Sequence, residues 1–496
     1  MAINKSDDIE KCYDDILLID PNYVRGNVNI AAYYQSVNKD LLAIKYYEKA
    51  LILDPLNVMA KHGLLSLNNI GINSQKNQNS ENDLKNGLNQ NYIIELFDSY
   101  SFHFENSLLL LDYQSHNLVA KSVGKYISNL IQSKSNKILL KMIKENNKNE
   151  IGKNLDKKNV ITEAKLEILN KNEKINSQLL NVNSTKYDVE LNIFGLDLGA
   201  GTGLACLPIK NEILKNVHLH NTELNKKKNL KINENENENR NGLSMSYEDE
   251  LDGEYNNLDG DNITILPYIA IIGVDLSSKM LKKSEEKKCY VDTVVDDVAK
   301  FVQDYAANVN IKTNENDKNS NDNNDNNNFD SKNKEKMNEN VDIDADSKNG
   351  NKSEIDNENY PMVDFITAVD VFMYLGDLKN VLESSCKILN YNGLLVFTVE
   401  ALKNEKLKID EIESEVEIDI DLNGLEFNIK NQNEKIELNY SLLKSGRIAH
   451  SYEYIENVAI ASNFEIVEIS EQTPRFEKGK GVDGFLVVLK KTSICK

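Results

Sequence analysis

The chain has 496 residues, 40% of them hydrophobic, enough to bury two or more cores of ordinary domain size. Its 58 basic and 79 acidic side chains give a formal charge of -21, which argues against a broad nucleic-acid-binding surface. Cys12, Cys206, Cys289, Cys386 and Cys495 show no C-x-x-C spacing and no clustering with histidine, so neither a metal site nor a disulfide framework is expected, and a reducing cytoplasmic or nuclear compartment fits. The opening "MAINKSDDIEKCYDD" has no apolar leader, and the longest apolar stretch, "ITILPYIAIIGVDL", is too short and interrupted to span a bilayer, so a soluble protein is predicted.

The first 71 residues carry an internal repeat. "YDDILLIDPNYV" from Tyr13 matches "YEKALILDPLNV" from Tyr47 at an offset of 34 residues, the tetratricopeptide period. Ala31, Ala43 and Ala50 supply small residues where two helices would touch, with Tyr34 and Tyr47 between them, while Asn27 stands where the repeat usually has Trp. About two units are visible, fewer than the three or so of a stable stack, so a protein-binding repeat and an ordinary helical hairpin packed on the next domain carry nearly equal weight. A polar linker follows over 72–90, and residues 91–496 form the second unit. It opens with residues 92–131, whose apolar positions at i, i+3 and i+4 predict two amphipathic helices.

Asn, Lys, Glu and Asp dominate roughly 141–190, 211–262 and 306–358, too little apolar surface to offset the ordering entropy, so these read as disordered insertions. A further polar stretch, 403–437, alternates apolar and acidic residues in "ESEVEIDIDLNGLEFNIK" and could hold a strand pair.

Between the insertions, "LNIFGLDLGAGTG" reads as a buried strand, Leu191 to Leu198, ending in a glycine turn at Gly199, Gly201 and Gly203, with a helix opening at about Thr202 to Ile209. A dinucleotide fingerprint would have a small third residue at 204, but Leu204 stands there. Asp197 at the turn would repel a pyrophosphate and could attract an ammonium, so the ligand is expected to be cationic at one end. A second strand, Tyr268 to Val274, ends in Asp275, where a carboxylate can accept both hydroxyls of a ribose. Ser277 or Ser278 caps the next helix, Met280 is placed to pack on a flat adenine or equally well in the core, and Leu276 is a further candidate cofactor-binding residue. A third strand ends in Asp296 and Asp297, either of which could accept from an adenine amino group. A fourth, Asp364 to Val369, ends in Asp370 facing the same crevice, and a fifth, Leu394 to Val399, follows the turn Asn392-Gly393. Alternating strands and helices predict an α/β fold with a doubly wound, mainly parallel sheet.

"LDLGAGTG", "GVDLSSKML", "AVDVFMYLGDL" and "NGLLVFTVE" resemble motifs of class I S-adenosylmethionine-dependent methyltransferases. "LFDSYSFHFENSL", "SGRIAHSYEYI" and "RFEKGKGVDGFLVVLKK", behind a tetratricopeptide segment, are similar to the predicted methyltransferases that carry such repeats. The resemblance implies a Rossmann-like fold and S-adenosylmethionine as cofactor. Gly199 and Gly201 would line the methionine moiety with Asp197 near its amino group, Asp275 would hold the ribose and Asp297 the adenine. It implies methyl transfer and no particular acceptor. In the last block His450 is a candidate base, Arg447 a candidate holder of a carboxylate or phosphate, and Tyr452 a pocket residue; alternatively, Ser445 to Tyr452 form a strand end with Ser451 as helix cap. Tyr100 and Phe104 could fold over the cofactor as a lid, with core packing the alternative for Phe97 and Phe104. The rival function is a non-catalytic adaptor that retains the cofactor fold. A nicotinamide-dependent oxidoreductase is disfavoured by Leu204 and Asp197.

Overall fold

The computed structural model describes residues 5–68, 84–151, 187–235, 263–321, 361–403, 438–477 and 479–492. Helices α1 (Lys5–Ile19), α2 (Val24–Ser36), α3 (Asp40–Leu53) and α4 (Val58–Asn68) open the chain. The repeated motif falls on α1 and α3. Ala31, Ala43 and Ala50 are fully buried, with Tyr34 and Tyr47 packed between them, so the small residues sit where helix backbones approach. Asn27, where the repeat usually has Trp, is buried too, and its amide donates to the Pro21 and Tyr23 carbonyls at 3.3 and 2.8 Å, tying down the start of α2.

Next come α5 (Gln90–Tyr100), α6 (Phe104–Leu110) and α7 (Ser115–Ile151), three helices where the apolar periodicity predicts two. Asp112, with φ 48°, breaks the chain between α6 and α7. The remaining elements, in chain order, are β1 (Tyr187–Leu198), α8 (Cys206–Asn235), β2 (Ile263–Asp275), α9 (Ser278–Glu286), β3 (Asp292–Val295), α10 (Val298–Asn321), β4 (Val363–Ala368), a short 3-10 turn (Phe372–Tyr374), α11 (Lys379–Ile388) and β5 (Leu389–Ala401). They are followed by β6 (Tyr440–Leu442), β7 (Ile448–His450), α12 (Tyr452–Ala461), β8 (Phe464–Gln472), β9 (Phe476–Glu477), β10 (Lys480–Gly481) and β11 (Gly484–Lys491).

The central sheet runs β3-β2-β1-β4-β5-β11-β8. Its first five strands are parallel, and β11 is antiparallel to both neighbours. Alternate residues feed opposite faces: Leu394 and Val396 join the layer under α7 and α8, while Leu395 and Phe397 join the layer under α10, α11 and α12. This is the doubly wound, mainly parallel sheet that the strand and helix alternation predicts. Strand order reverses between β1 and β4, which opens a crevice at the carboxyl ends of the strands.

Three expectations change. The polar stretches begin later than composition suggests: α8 carries buried Ile213 and Val217 into 211–262, α10 carries buried Ala306 and Val309 into 306–358, and Leu84 and Leu88 are buried within the 72–90 linker. Four-residue apolar spacing, diluted by Lys and Asn, was enough to seat a helix. The rest of each stretch, and the strand pair expected over 403–437, lies outside the described residues. The helix after the glycine turn starts at Cys206, four residues past Thr202, because the turn itself continues to Ala205. Finally, Cys206 and Cys289 form a disulfide across a sequence separation of 83, and Cys386 is disulfide-bonded as well. The pairing follows from the adjacency of β1, β2 and β3, which spacing along the chain does not reveal, and it removes the ground for expecting a reducing compartment. Among the described residues, no helix is long and apolar enough to cross a membrane, and no cluster of His, Cys, Asp and Glu could hold a metal ion.

Candidate functional site

At the switch point the turn after β1 is built from three glycines with positive φ, 71°, 53° and 79° at Gly199, Gly201 and Gly203. Four of its amides are spent inside the fold. Gly199 and Ala200 donate to the Val274 carbonyl at 2.7 and 2.9 Å, Gly203 donates to the Ala200 carbonyl at 2.8 Å, and Gly201 donates to the Asp275 carboxylate at 2.9 Å. A phosphate cradle needs such N–H groups free and no carboxylate beside them. This turn therefore does not suit a pyrophosphate.

Asp275 ends β2, and its other oxygen accepts from the Ser277 amide at 2.8 Å. Ser277 caps α9, accepting from the Met280 amide at 3.2 Å. Burial pushes the Asp275 carboxyl up to about 6 against the pull of these amide hydrogen bonds. Asp197 is likewise raised to about 6 by burial, although the Tyr290 and Thr367 hydroxyls donate to it at 2.5 and 2.9 Å. A carboxyl that binds its proton more tightly when folded makes the native state lose stability as pH rises from the unfolded value towards the folded one, about pH 4 to about pH 6. Asp275→Asn should flatten that decline, which melting curves of the unliganded protein across the same window would measure.

A cavity of about 170 Å³ lies over the turn. Gly199, Gly201, Leu276, Met280 and Val371 form its floor, Ile93, Phe97, Phe104, Leu108 and Leu111 its roof, and Asp275, Asp297, Asp370, Tyr113, Tyr374, Arg447 and Arg475 its polar wall. Small-molecule pockets usually measure about 300 to 1,000 Å³, so the roof sits low. Ties across the crevice hold it there: Ser277 Oγ donates to Asp98 at 2.6 Å, Lys279 pairs with Asp98 at 3.2 Å, Gln90 donates to Asp297 at 3.1 Å and Lys287 pairs with Glu105 at 2.7 Å.

The far wall is a charged network. Arg475 pairs with Glu400, with Glu477 at 2.9 Å and with Asp370 at 3.5 Å, while Arg447 pairs with Glu477 at 2.9 Å and Glu400 at 3.4 Å. Asp370, in the left-handed region at φ 55°, also accepts from the Thr398 hydroxyl at 2.7 Å. Burial raises the Tyr113 and Tyr374 hydroxyls, Tyr113 further through the Asp370 carboxylate, so both stay protonated. Sequence reasoning missed Glu400, Arg475 and Glu477. The only signal was an acid at the end of the fifth strand and an arginine in the closing "RFEKGKG", which point nowhere until the sheet brings them together.

Gly199, Gly201, Asp275, Leu276, Met280, Asp297, Asp370 and Arg447 therefore line one cavity. Others do not reach it. Asp197 lies beneath the turn with both oxygens engaged, because the neighbouring β4 and the loop before β3 offer it hydroxyls; it does not face the cavity where an ammonium was expected. Gly203 packs against Ser284 and Tyr290, and Asp296 pairs with Lys300 at 3.0 Å. His450 is fully buried at the end of β7, its Nε2 2.9 Å from the Gly376 carbonyl, and burial lowers it to about 4, so the candidate base is a neutral core residue. Tyr452 packs its ring edge-on to Phe485, and Ser451 caps α12 as the structural alternative required. The roof rings are Phe97 and Phe104, 6.2 Å apart, while Tyr100 is half-exposed outside the cavity.

No protein-family model matches the chain, and no curated protein matches it in sequence. Among solved structures it is similar to magnesium protoporphyrin IX methyltransferase from Synechocystis with bound S-adenosylmethionine, at 8% identity over 60% of this chain and 70% of that one, TM-score 0.25. It is also similar to S-adenosylmethionine-dependent methyltransferases from Methanosarcina mazei (11% identity, 60% and 92% covered, TM-score 0.27) and Mesorhizobium loti (12%, 60% and 91%, TM-score 0.27).

Proposed function

We propose that this chain is an S-adenosylmethionine-dependent methyltransferase with a class I, Rossmann-like fold behind a tetratricopeptide-type helical segment. One observation carries the reading: the amides of Gly199, Ala200, Gly201 and Gly203 are spent inside the fold, and the carboxylate that takes the Gly201 amide, Asp275, lines the cavity beside the turn. A carboxylate at the turn suits a sugar-bearing ligand and disfavours a pyrophosphate there. Strand order supports it. A dinucleotide-binding sheet continues from its fifth strand to a parallel sixth, whereas β11 beside β5 is antiparallel.

The residues present fit the cofactor. A Cβ on Gly201 would meet nothing nearer than Met280 Cε at 3.7 Å, so the missing side chain leaves room above the turn. Asp275 would accept the ribose hydroxyls, Leu276 and Met280 would flank the adenine, Asp297 would take its amino group, and Gly199, Gly201 and Asp370 would border the methionine end. The bound cofactor would supply a methyl group on a sulfonium, an activated electrophile. The protein's own work is then alignment and exclusion of water. Phe97, Phe104 and Leu108 cover the crevice, and Asp370, fixed by Thr398 and Arg475, presents a carboxylate that can orient an acceptor or take its proton.

Titration calorimetry tests this. S-adenosylmethionine is expected to bind and NAD not, and Asp275→Ala should weaken binding about 10- to 100-fold, the worth of hydrogen bonds to a charged group. Tighter binding of NAD, or an Asp275→Ala variant with wild-type affinity, would overturn the assignment.

A further inference from the structure

Where the N-terminal helices meet the sheet domain, they grip the turn that carries Arg447. The turn is closed by Gly446 N–H to the Leu443 carbonyl at 2.9 Å and Leu443 N–H to the Arg447 carbonyl at 2.8 Å. Gln35 of α2 donates to the Lys444 carbonyl at 2.8 Å, and Tyr47 of α3 holds Gln35 in turn, donating to its side-chain oxygen at 2.9 Å. Lys444 reaches back to Asn38 and Asp40 at 2.9 and 2.5 Å.

His62 of α4 stands at the centre. It is buried, with its Nε2 2.9 Å from the Gly446 carbonyl; burial lowers its pKa to about 4, so a neutral ring protonated at Nε2 donates there. Gly446 has φ 81°, and a Cβ on it would stand 2.9 Å from Nε2, so the ring fits only against glycine. The other face of the contact is Tyr92 of α5, stacked on His62 with ring centroids 3.7 Å apart. Tyr92 adjoins Ile93, which lines the cavity roof, and Gly446 adjoins Arg447, which lines the wall. One ring thus touches the supports of both.

We propose that His62 is a positioning residue: wedged between Tyr92 and Gly446, it makes the N-terminal helices a structural wall of the site, setting α5 and Arg447 around the cavity. The helical segment then acts on the site through packed contacts with discrete geometry, the ordinary carrier of coupling between neighbouring elements. The contact argument stands apart from the methyltransferase reading; only the affinity measurement below rests on it.

Hydrogen exchange on the full-length unliganded protein gives the first test. His62→Ala should speed amide exchange in residues 93–111 and 443–450 as well as in 24–68, and His62→Gln, which can still donate to the Gly446 carbonyl, should restore much of the protection. Acceleration confined to 24–68, or no rescue by glutamine, would overturn the inference. If His62→Ala does not fold, Lys444→Ala, which removes the milder tie to Asn38 and Asp40, is read the same way. In calorimetry the Kd for S-adenosylmethionine should rise about threefold or more in His62→Ala, within the range of such couplings; a smaller change would count against a role at the site. Wild-type protein that binds no S-adenosylmethionine, yet shows the exchange pattern, would refute the proposed cofactor and leave the positioning role standing.

Discussion

Gly201→Arg is expected to abolish S-adenosylmethionine binding while the chain stays folded. Gly201 has φ 53°, and the space where its side chain would start holds only Met280 Cε at 3.7 Å and the Gly199 carbonyl oxygen at 3.9 Å. An arginine there costs about 1–2 kcal/mol in backbone strain and extends into the cavity. Gly199→Ala gives the contrast. At φ 71° its methyl would overlap Val371 Cγ2, so stability falls sharply through a clash that a rigid β-branched side chain cannot relieve. Calorimetry and melting curves separate the two: lost binding with a modest drop in melting temperature for Gly201→Arg, a large drop for Gly199→Ala. Retained binding in Gly201→Arg would put the ligand elsewhere. The same variant serves as control when labelled methyl transfer is followed in a lysate, since a product that persists with it is not made by this protein. Absence of any product that depends on wild-type protein would favour the adaptor.

Arg475→Ala should be the most damaging single change in the charged wall. Arg475 and Glu400 are 3% and 2% exposed, and removing the guanidinium leaves a buried carboxylate with the Arg447 guanidinium and the Ser445 hydroxyl, each at 3.4 Å, to offset it. Breaking a buried pair from one side costs about 3–5 kcal/mol, whereas removing both partners costs less than the sum. Urea unfolding of Arg475→Ala, Glu400→Ala and the double variant measures this. Strictly additive losses would show that the two do not act as a unit. Asp370 also loses its 3.5 Å partner in Arg475→Ala, so cofactor affinity and stability should fall together.

The parts of the site legible in the sequence are those with local signals. Apolar runs marked β1, β2, β4 and β5, glycines marked the turn, and the Asp275-Leu276-Ser277 step marked a strand end passing into a helix cap. Of the acids expected at strand ends, Asp275, Asp297 and Asp370 line the cavity. Asp197 shows the limit of that logic. It sits at a strand end too, but its carboxylate meets hydroxyls from β4 and from the loop before β3, so its direction is a tertiary fact. His450 fails as a candidate base for a related reason: at the end of β7 it is paired on both sides, by β5 and β6, and fully buried, which its neighbours in sequence do not reveal. The Arg447–Glu400–Arg475–Glu477 network joins parts of the chain that meet only in the folded sheet, and no spacing rule reaches that far.

The long polar stretches have a position in common. β1, β2 and β4 begin at Tyr187, Ile263 and Val363, and each is preceded in the sequence by one of these stretches. The crevice opens at the other end of the same strands. Closing a longer loop costs only about 0.6 kcal/mol for each doubling of its length. The amino-end rim is therefore a place where a fluorescent reporter or an affinity domain can be grafted, or chain deleted, with the ligand edge untouched.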